Sequence, residues 1–521
     1  MRILLAACLT TFVGCTSNSG PSLGDGMVRF PDDAQTGVPD AWPYVPHPGD
    51  CGLGQPAFCD TFEAGPVAGG RMGDLDPARW SVSRDGLDPA PTVNGAAFVV
   101  KPVRMPACRA GVPAIALPDS DVAICDPTAS IATRHLLTAN GAQNYGMLSH
   151  RIRQPFDFAG RAGAIHFDVE LSGSPLCGFS SLALAEAPTP SPNFNEWEHS
   201  SGPRNGIEVV FDGDNCHSGA SASPSLHLFK DYVETVMASP DRDPSTCVQT
   251  AKGRLNRVSL VVSKTTLEVW ASDASTDGET FGDLRKLWSV PIALTFERGY
   301  ISLNNHNHAT LKYWCGGGTD PSGGSGSFIR WDNIGFDGPI VTNWREYSVQ
   351  DSLTAYTGGL DGCMVGGVCT WRADVVAANA TDVCPPAVQC SYSGEARNVG
   401  YVLLNGSKNA VRLTVDNVDV SNVVRAQLTL AANYIIGKTD PSVSMAMGIQ
   451  YSINGGPLHD RYINAVEANA FAMSQGAGTF NQVIDLDASE LHAGTNTIDM
   501  SGLGGGSYPI GVTNLDLILG M

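Results

Sequence analysis

Apolar and polar residues alternate in short runs along most of the chain, and Gly, Pro, Asn or Asp interrupts each run. Ala164 to Leu171 (AIHFDVEL), Gly206 to Phe211 (GIEVVF), Arg257 to Val262 (RVSLVV) and Thr266 to Trp270 (TLEVW) change polarity with period two, which predicts strands. Ser263 to Thr265 part the last two runs, so a hairpin is expected. Val258, Leu260 and Val262 would share one face of its first strand, and Leu267 and Val269 one face of its second, opposite Glu268 and Trp270. Strand-sized pieces resume beyond Thr342, at 411–415, 426–430, 449–453, 482–486, 497–500 and 513–519. Asn454-Gly455-Gly456 and His492-Ala493-Gly494 supply turn signals there. The stretch GGGTDPSGGSGS (316–327) reads as a loop within the first region.

Composition points the same way. Charged residues are 16% of the chain against 58 Gly and 33 Pro, which suits strands joined by many turns. At 521 residues two or three domains are expected, and large β-sandwiches favour two. A net charge of −20 would repel phosphate backbones and anionic headgroups, so nucleic acid is not expected as a partner.

Arg2 precedes an apolar stretch, Ile3 to Val13, and then Gly14-Cys15, the order of a signal peptide. Such a stretch is too short to span a bilayer as a helix. FVGC resembles a bacterial lipobox, with Phe12 where Leu is usual, which implies cleavage before Cys15 and lipidation of that cysteine. A secretory signal cleaved elsewhere is the alternative. With Thr16 following, resemblance to Gram-negative lipoproteins implies the outer membrane, leaving open which side of it the protein faces. Residues 16–48, rich in Pro, Gly, Ser and Asp, read as a flexible tether. Membrane contact is expected through the lipid alone.

Of 14 cysteines, Cys8 and Cys15 fall in or next to the signal, and an even number is left for disulfides. Close spacing suggests Cys51 with Cys59, Cys108 with Cys125, Cys363 with Cys369, and Cys384 with Cys390. Cys177, Cys216, Cys247 and Cys315 would pair among themselves in an order the spacing leaves open. A zinc site competes weakly, since no CxxC occurs.

Four phrases, CDTFE with LDPARW (59–63, 75–80), FDFAGRAGAIHFDVEL (156–171), NRVSLVVSKTTLEVW (256–270) and WDNIGFDG (331–338), together resemble the concanavalin A-like lectin and glucanase superfamily. Laminin G domains and family 16 glycoside hydrolases share that jelly roll. INGGPLHD (453–460) and DASELHAGTNTIDM (487–500) resemble galactose-binding-like and carbohydrate-module sandwiches. These resemblances imply an all-β chain: signal 1–15, tether 16–48, a concanavalin A-like sandwich at 49–338 and a smaller β-sandwich at 339–521. Fold alone does not assign an activity.

Family 16 hydrolases carry E-x-D-x-x-E on one strand, because retaining chemistry needs two carboxyls about 5.5 Å apart. In GIEVVFDGD, Glu208 matches the first position, but Val210 stands where Asp belongs and Gly213 where the second Glu belongs. Glu208 and Asp212 would face the same side roughly 13 Å apart, too far for either mechanism. Asp168 and Glu170, with His166, share the polar face of another strand and could line a groove or form a wet face. Asn304, His306 and His308 would share a face if extended, able to contact a ligand, supply half a metal site, or hydrogen-bond structurally. Asp212 with Asp214, and Asp241 with Asp243, offer oxygen ligands suited to calcium, and are also ordinary turn residues. Trp270, Trp197, Tyr313 and Trp314 are possible stacking platforms for sugars, and each could equally serve packing. GxSxG, HExxH and P-loop motifs are absent.

The expectation is therefore a lipoprotein whose ectodomain binds a polysaccharide or glycan without catalysis, with calcium as a possible cofactor. A glycoside hydrolase or polysaccharide lyase, using Glu208, Asp168 and Glu170 or His306, is the enzymatic alternative. A structural or adhesion protein of the envelope is the third.

Overall fold

The computed structural model describes residues 51–63, 75–76, 78–86, 102–105, 135–140, 146–171, 178–188, 202–212, 216, 221–239, 243–251, 253–275, 280–307, 327–348, 355–356, 364–365, 368–369, 402–404, 411–435, 446–468, 477–503 and 510–521. The first region contains β1 (Pro56–Asp60), β2 (Trp80–Gly86), β3 (Pro102–Met105), β4 (His135–Asn140), β5 (Gly146–Ile152), β6 (Phe156–Asp157), β7 (Gly163–Val169), β8 (Gly178–Ala185) and β9 (Asn205–Asp212). It continues with β10 (Ser221–Lys230), β11 (Val233–Ala238), β12 (Val248–Gln249), β13 (Asn256–Val262), β14 (Thr266–Ala271), β15 (Arg285–Pro291), β16 (Arg298–Asn307) and β17 (Ser327–Asp337). The second contains β18 (Trp344–Ser348), β19 (Ala355–Tyr356), β20 (Met364–Val365), β21 (Val368–Cys369), β22 (Val402–Leu404) and β23 (Val411–Val418). Its remaining strands are β24 (Arg425–Ile435), β25 (Gly448–Ile453), β26 (His459–Tyr462), β27 (Ala477–Leu486), β28 (Gly494–Leu503) and β29 (Ile510–Gly520). Among the described residues no helix is long and apolar enough to cross a membrane.

The first region folds into two antiparallel sheets. One runs β15-β14-β13-β7-β17-β4-β3, with β1 also on β17. The other, called here the site sheet, runs β11-β10-β9-β8-β16-β5-β2, with β12 on β10 and β6 on β16. Alternation turns Ile165, Phe167, Val258 and Leu260 inward from one sheet, and Leu182, Leu184, Val209 and Leu303 inward from the other, into one continuous core. Phe167 bridges the layers, its ring 5.8 Å from that of Phe211 and 6.0 Å from that of Trp331. Truncating such a ring costs about 3–5 kcal/mol. The β13–β14 hairpin pairs Leu260 with Val269 and Val262 with Leu267, the shared face expected from the pattern. CDTFE and LDPARW meet in space: Trp80 Nε1 donates to Asp60 Oδ2 at 2.9 Å, and the Phe58 ring meets the Trp80 indole edge-on at 5.4 Å.

The second region is a smaller sandwich, β18-β29-β24-β27 with β22 on β29, against β19-β23-β28-β25-β26. Its core gathers Leu428, Ile449, Ile498 and Leu517. Asn454 and Gly455 have φ of 51° and 70°, and Gly456 N–H donates to Ile453 O at 2.8 Å. This is a type I′ turn, for which Asn-Gly is the favoured pair.

Residues 39–521 form one compact unit, and two sets of contacts tie the sandwiches together. Arg151 of β5 reaches Glu346 of β18 and Asp516 of β29, while Ser81 of β2 donates to Asp516 Oδ2 at 2.6 Å. At the far side of the site sheet, Asp231 and Tyr232 (φ 49° and 67°) form the two-residue turn between β10 and β11. The Tyr232 side chain joins the core of the second sandwich. Burial, and next the Glu467 carboxylate, push its phenol pKa up. Both contacts lie toward the same end of the site-sheet strands, so the second sandwich reaches across that end from β10 to β2.

Two disulfides are present among the described residues, Cys51–Cys59 and Cys216–Cys247. The second settles one pair among the four that spacing left open. The side chains of the other cysteines, Cys15 included, lie outside the described residues, as do the signal and tether.

Candidate functional site

Antiparallel register sorts the outward side chains of the site sheet into rows, because paired residues share a face. One row runs Ser225, Val210, Ser181, Asn304 and Ser149 from β10 to β5. The adjacent row runs His227, Glu208, Ala183, Ser302, Arg151 and Ser81. Hydroxyl, amide, imidazole and carboxyl groups thus occupy the outer face of a sheet whose inner face is apolar.

A directional hydrogen-bond chain crosses these rows. Ser149 Oγ donates to Asn304 Oδ1 at 2.7 Å, Asn304 Nδ2 donates to Ser181 Oγ at 3.0 Å, and Ser181 Oγ donates to Glu208 Oε1 at 2.5 Å. All four residues are fully buried. Burial raises the Glu208 pKa to about 8, against the pull of the Ser181 hydrogen bond and with a smaller push from Glu234, so Glu208 is a protonated acid at neutral pH. Across from it on β10, His227 Nε2 lies 2.7 Å from Ser225 Oγ, and His227 Nδ1 contacts Glu234 Oε1. These three open progressively toward the sheet edge: Ser225 is 7% exposed, and the His227 and Glu234 side chains 12% and 24%. Gly202 lies flat on Phe229, farther along the same face; a Cβ there would come within 2.0 Å of the ring.

Asp168 lies on β7, in the other sheet from Glu208, and Glu170 follows just past the end of that strand, so the structure does not bring the three carboxyls together. Neither is wet. Asp168, fully buried, takes two hydrogen bonds from Arg257, at 2.9 and 3.1 Å, and one from Asn333 Nδ2 at 2.8 Å. Glu170 accepts from Gly253 N–H at 2.7 Å and pairs with Arg330. Beside them burial lowers the His166 pKa to about 4, keeping it neutral. Trp270, on β14, donates to Glu268 Oε2 at 3.2 Å and carries Lys286 over its ring at 4.9 Å.

Of the residues singled out from sequence, Glu208 and Asn304 meet in the hydrogen-bond chain. His306 occupies the next register position of β16 on the Asn304 face; its side chain, and that of Asp212 at the end of β9, lie outside the described residues. His308, Tyr313, Trp314, Trp197, Asp214 and Asp241 lie wholly outside them. Asp243 caps the short 3-10 turn Pro244–Thr246, accepting from Ser245 N–H at 3.0 Å. Among the described residues, no three His, Cys, Asp or Glu side chains cluster as a metal site. Ser149, Ser181, Ser225, His227 and Glu234 went unnoticed in the sequence. Only the alternation in SASPSLHLF, which places Ser225 and His227 on one face, hinted at two of them.

Neither a protein-family model nor a curated protein sequence matches the chain. Solved structures resemble its fold. The Ca2+-bound exoplasmic/lumenal domain of VIP36 is 10% identical, covering 40% of this chain and 81% of its own at a TM-score of 0.24. A legume lectin-like domain from Entamoeba histolytica is 10% identical, covering 41% and 87% at 0.24. A glycosyl hydrolase family protein from Mycobacterium fortuitum is 10% identical, covering 54% and 100% at 0.27. The described strands of the first region make a sandwich of two antiparallel sheets. The likeness is one of fold and leaves activity to the site itself.

Proposed function

We propose that the protein is an exported lipoprotein that binds carbohydrate on the outer face of the site sheet and leaves glycosidic bonds intact. The observation that carries this reading is the chain Ser149–Asn304–Ser181–Glu208. It fixes a polar floor from which Ser225, His227 and Glu234 extend toward solvent, a mixture of donors and acceptors that suits sugar hydroxyls. Glu234, the second carboxyl acting on Glu208, is itself engaged by His227, which supports binding over cleavage. Among the described residues, the positions flanking Glu208 on its face, Gly206, Val210 and Ala183, carry no second carboxyl.

The test is a polysaccharide pull-down with the mature chain, wild type and His227→Ala, with and without chelator, assayed for reducing ends and unsaturated uronate. Binding that His227→Ala weakens, without product, is the expected result. Loss under chelator would assign calcium a role. Anchoring through Cys15 is tested separately: Cys15→Ala should release the protein from the membrane fraction.

A glycoside hydrolase or lyase is the second reading, favoured by the protonated state of Glu208, which is what a general acid requires. Product formation abolished in Glu208→Gln would establish it and overturn the first.

A further inference from the structure

Ser225, His227 and Glu234 come together on the β10–β11 hairpin for a reason of strand geometry. Ser225 and His227 are two residues apart on one face of β10, and the turn at Asp231–Tyr232 brings Glu234 back alongside. The proton assignment follows from valence. An ionised carboxylate only accepts, so the His227 nitrogen facing Glu234, Nδ1, carries the proton. In the neutral ring Nε2 is then the acceptor, and the Ser225 hydroxyl, 2.7 Å away, donates to it. Orienting carboxylate, imidazole and hydroxyl thus stand in the order that activates a serine.

We propose that Ser225 is a nucleophile toward small O-acyl esters, with His227 as its general base and Glu234 orienting the imidazole. Ser225 Oγ attacks the acyl carbonyl carbon while its proton passes to His227 Nε2. The resulting imidazolium is stabilised by Glu234, and the ester alcohol departs with that proton, leaving an acyl-serine. Water, deprotonated by His227, then releases the carboxylic acid and restores the hydroxyl. The activity differs from cutting a glycan and does not require that a glycan bind.

The full chain is treated with a biotin-bearing fluorophosphonate, the modified peptide is located by mass spectrometry, and 4-nitrophenyl acetate turnover is followed in parallel. One equivalent on Ser225 is expected. Labelling should be lost in Ser225→Ala and slowed at least about 100-fold in His227→Gln, the usual contribution of a general base. Glu234→Gln should slow it less, and Ser245→Ala, an exposed serine on another element, not at all. An unlabelled Ser225 in folded wild type, or wild-type labelling in a folded His227→Gln, would overturn the proposal; if His227→Gln does not fold, undiminished labelling in Glu234→Gln would do so. Polysaccharide capture by the wild type separates the readings: no capture by a wild type that is labelled on Ser225 would count against the carbohydrate site alone, and capture by a wild type that is not labelled there would count against the nucleophile alone.

Discussion

Arg151→Met removes the cation at the centre of the junction between the sandwiches while keeping much of its volume. The Arg151 side chain is 1% exposed, and those of Glu346 and Asp516 are 0% exposed. Burial opposes its charge, but the Glu346 carboxylate, its hydrogen bond and Asp516 override that and raise the pKa. Arg153 stands farther off, its guanidinium 3.7 Å from Glu346 and 4.0 Å from Asp516, so among the described side chains two cations face two anions. Without Arg151 two buried carboxylates share the more distant arginine, which should cost about 3–5 kcal/mol. Glu346→Gln keeps the shape but drops one charge and should cost about 1–3 kcal/mol. Together the substitutions restore one cation to one anion, so the double variant should lose less than the sum, with a coupling of about 1–3 kcal/mol. Urea unfolding of the four proteins measures the cycle. Because the groups are buried, the coupling should persist in high salt. A coupling within about 0.5 kcal/mol of zero, or one abolished by salt, would refute the reasoning.

Glu208 titrates near 4.5 when unfolded and about 8 when folded. Between those values the unfolded chain gives up a proton that the folded chain keeps, so stability falls as pH rises through that window, by on the order of 1.4 kcal/mol for each pH unit crossed. Glu208→Gln should flatten that dependence; thermal midpoints with the same slope in both proteins would show the carboxyl is not held protonated. Tyr232 combines a left-handed backbone with a buried ring. Tyr232→Ala should therefore be worse than Tyr232→Gly by about 1 kcal/mol, since glycine relieves the turn; equal midpoints would argue against strain there. Replacing Cys216 and Cys247 by Ser frees a loop of 31 residues and should cost about 3–4 kcal/mol, read as a urea midpoint shift absent under reductant.

Period-two alternation was enough to place the strands around Phe167, Val209, Leu260 and Leu428, because a strand's buried face is written in consecutive residues. Asn454-Gly455 likewise announced its turn, since few residues tolerate positive φ in succession. The all-β class followed from such local signals. Alternation states which face a side chain takes but not which sheet its strand joins. Asp168 and Glu208 look equivalent in sequence, yet one lies in an ion pair with Arg257 and the other under Ser181 in the opposite sheet. Ser149, Ser181 and Asn304 meet only through pairings between strands far apart in the chain. The link from Arg151 to Glu346 and Asp516 joins the two sandwiches across still longer separations. The sequence by itself determined the strands, their inward faces and the turns, which depend on a few neighbouring residues. Tertiary structure decided the neighbours of Glu208, its protonation and the Ser225–His227–Glu234 arrangement, because these depend on long-range register and on the solvent that packing removes.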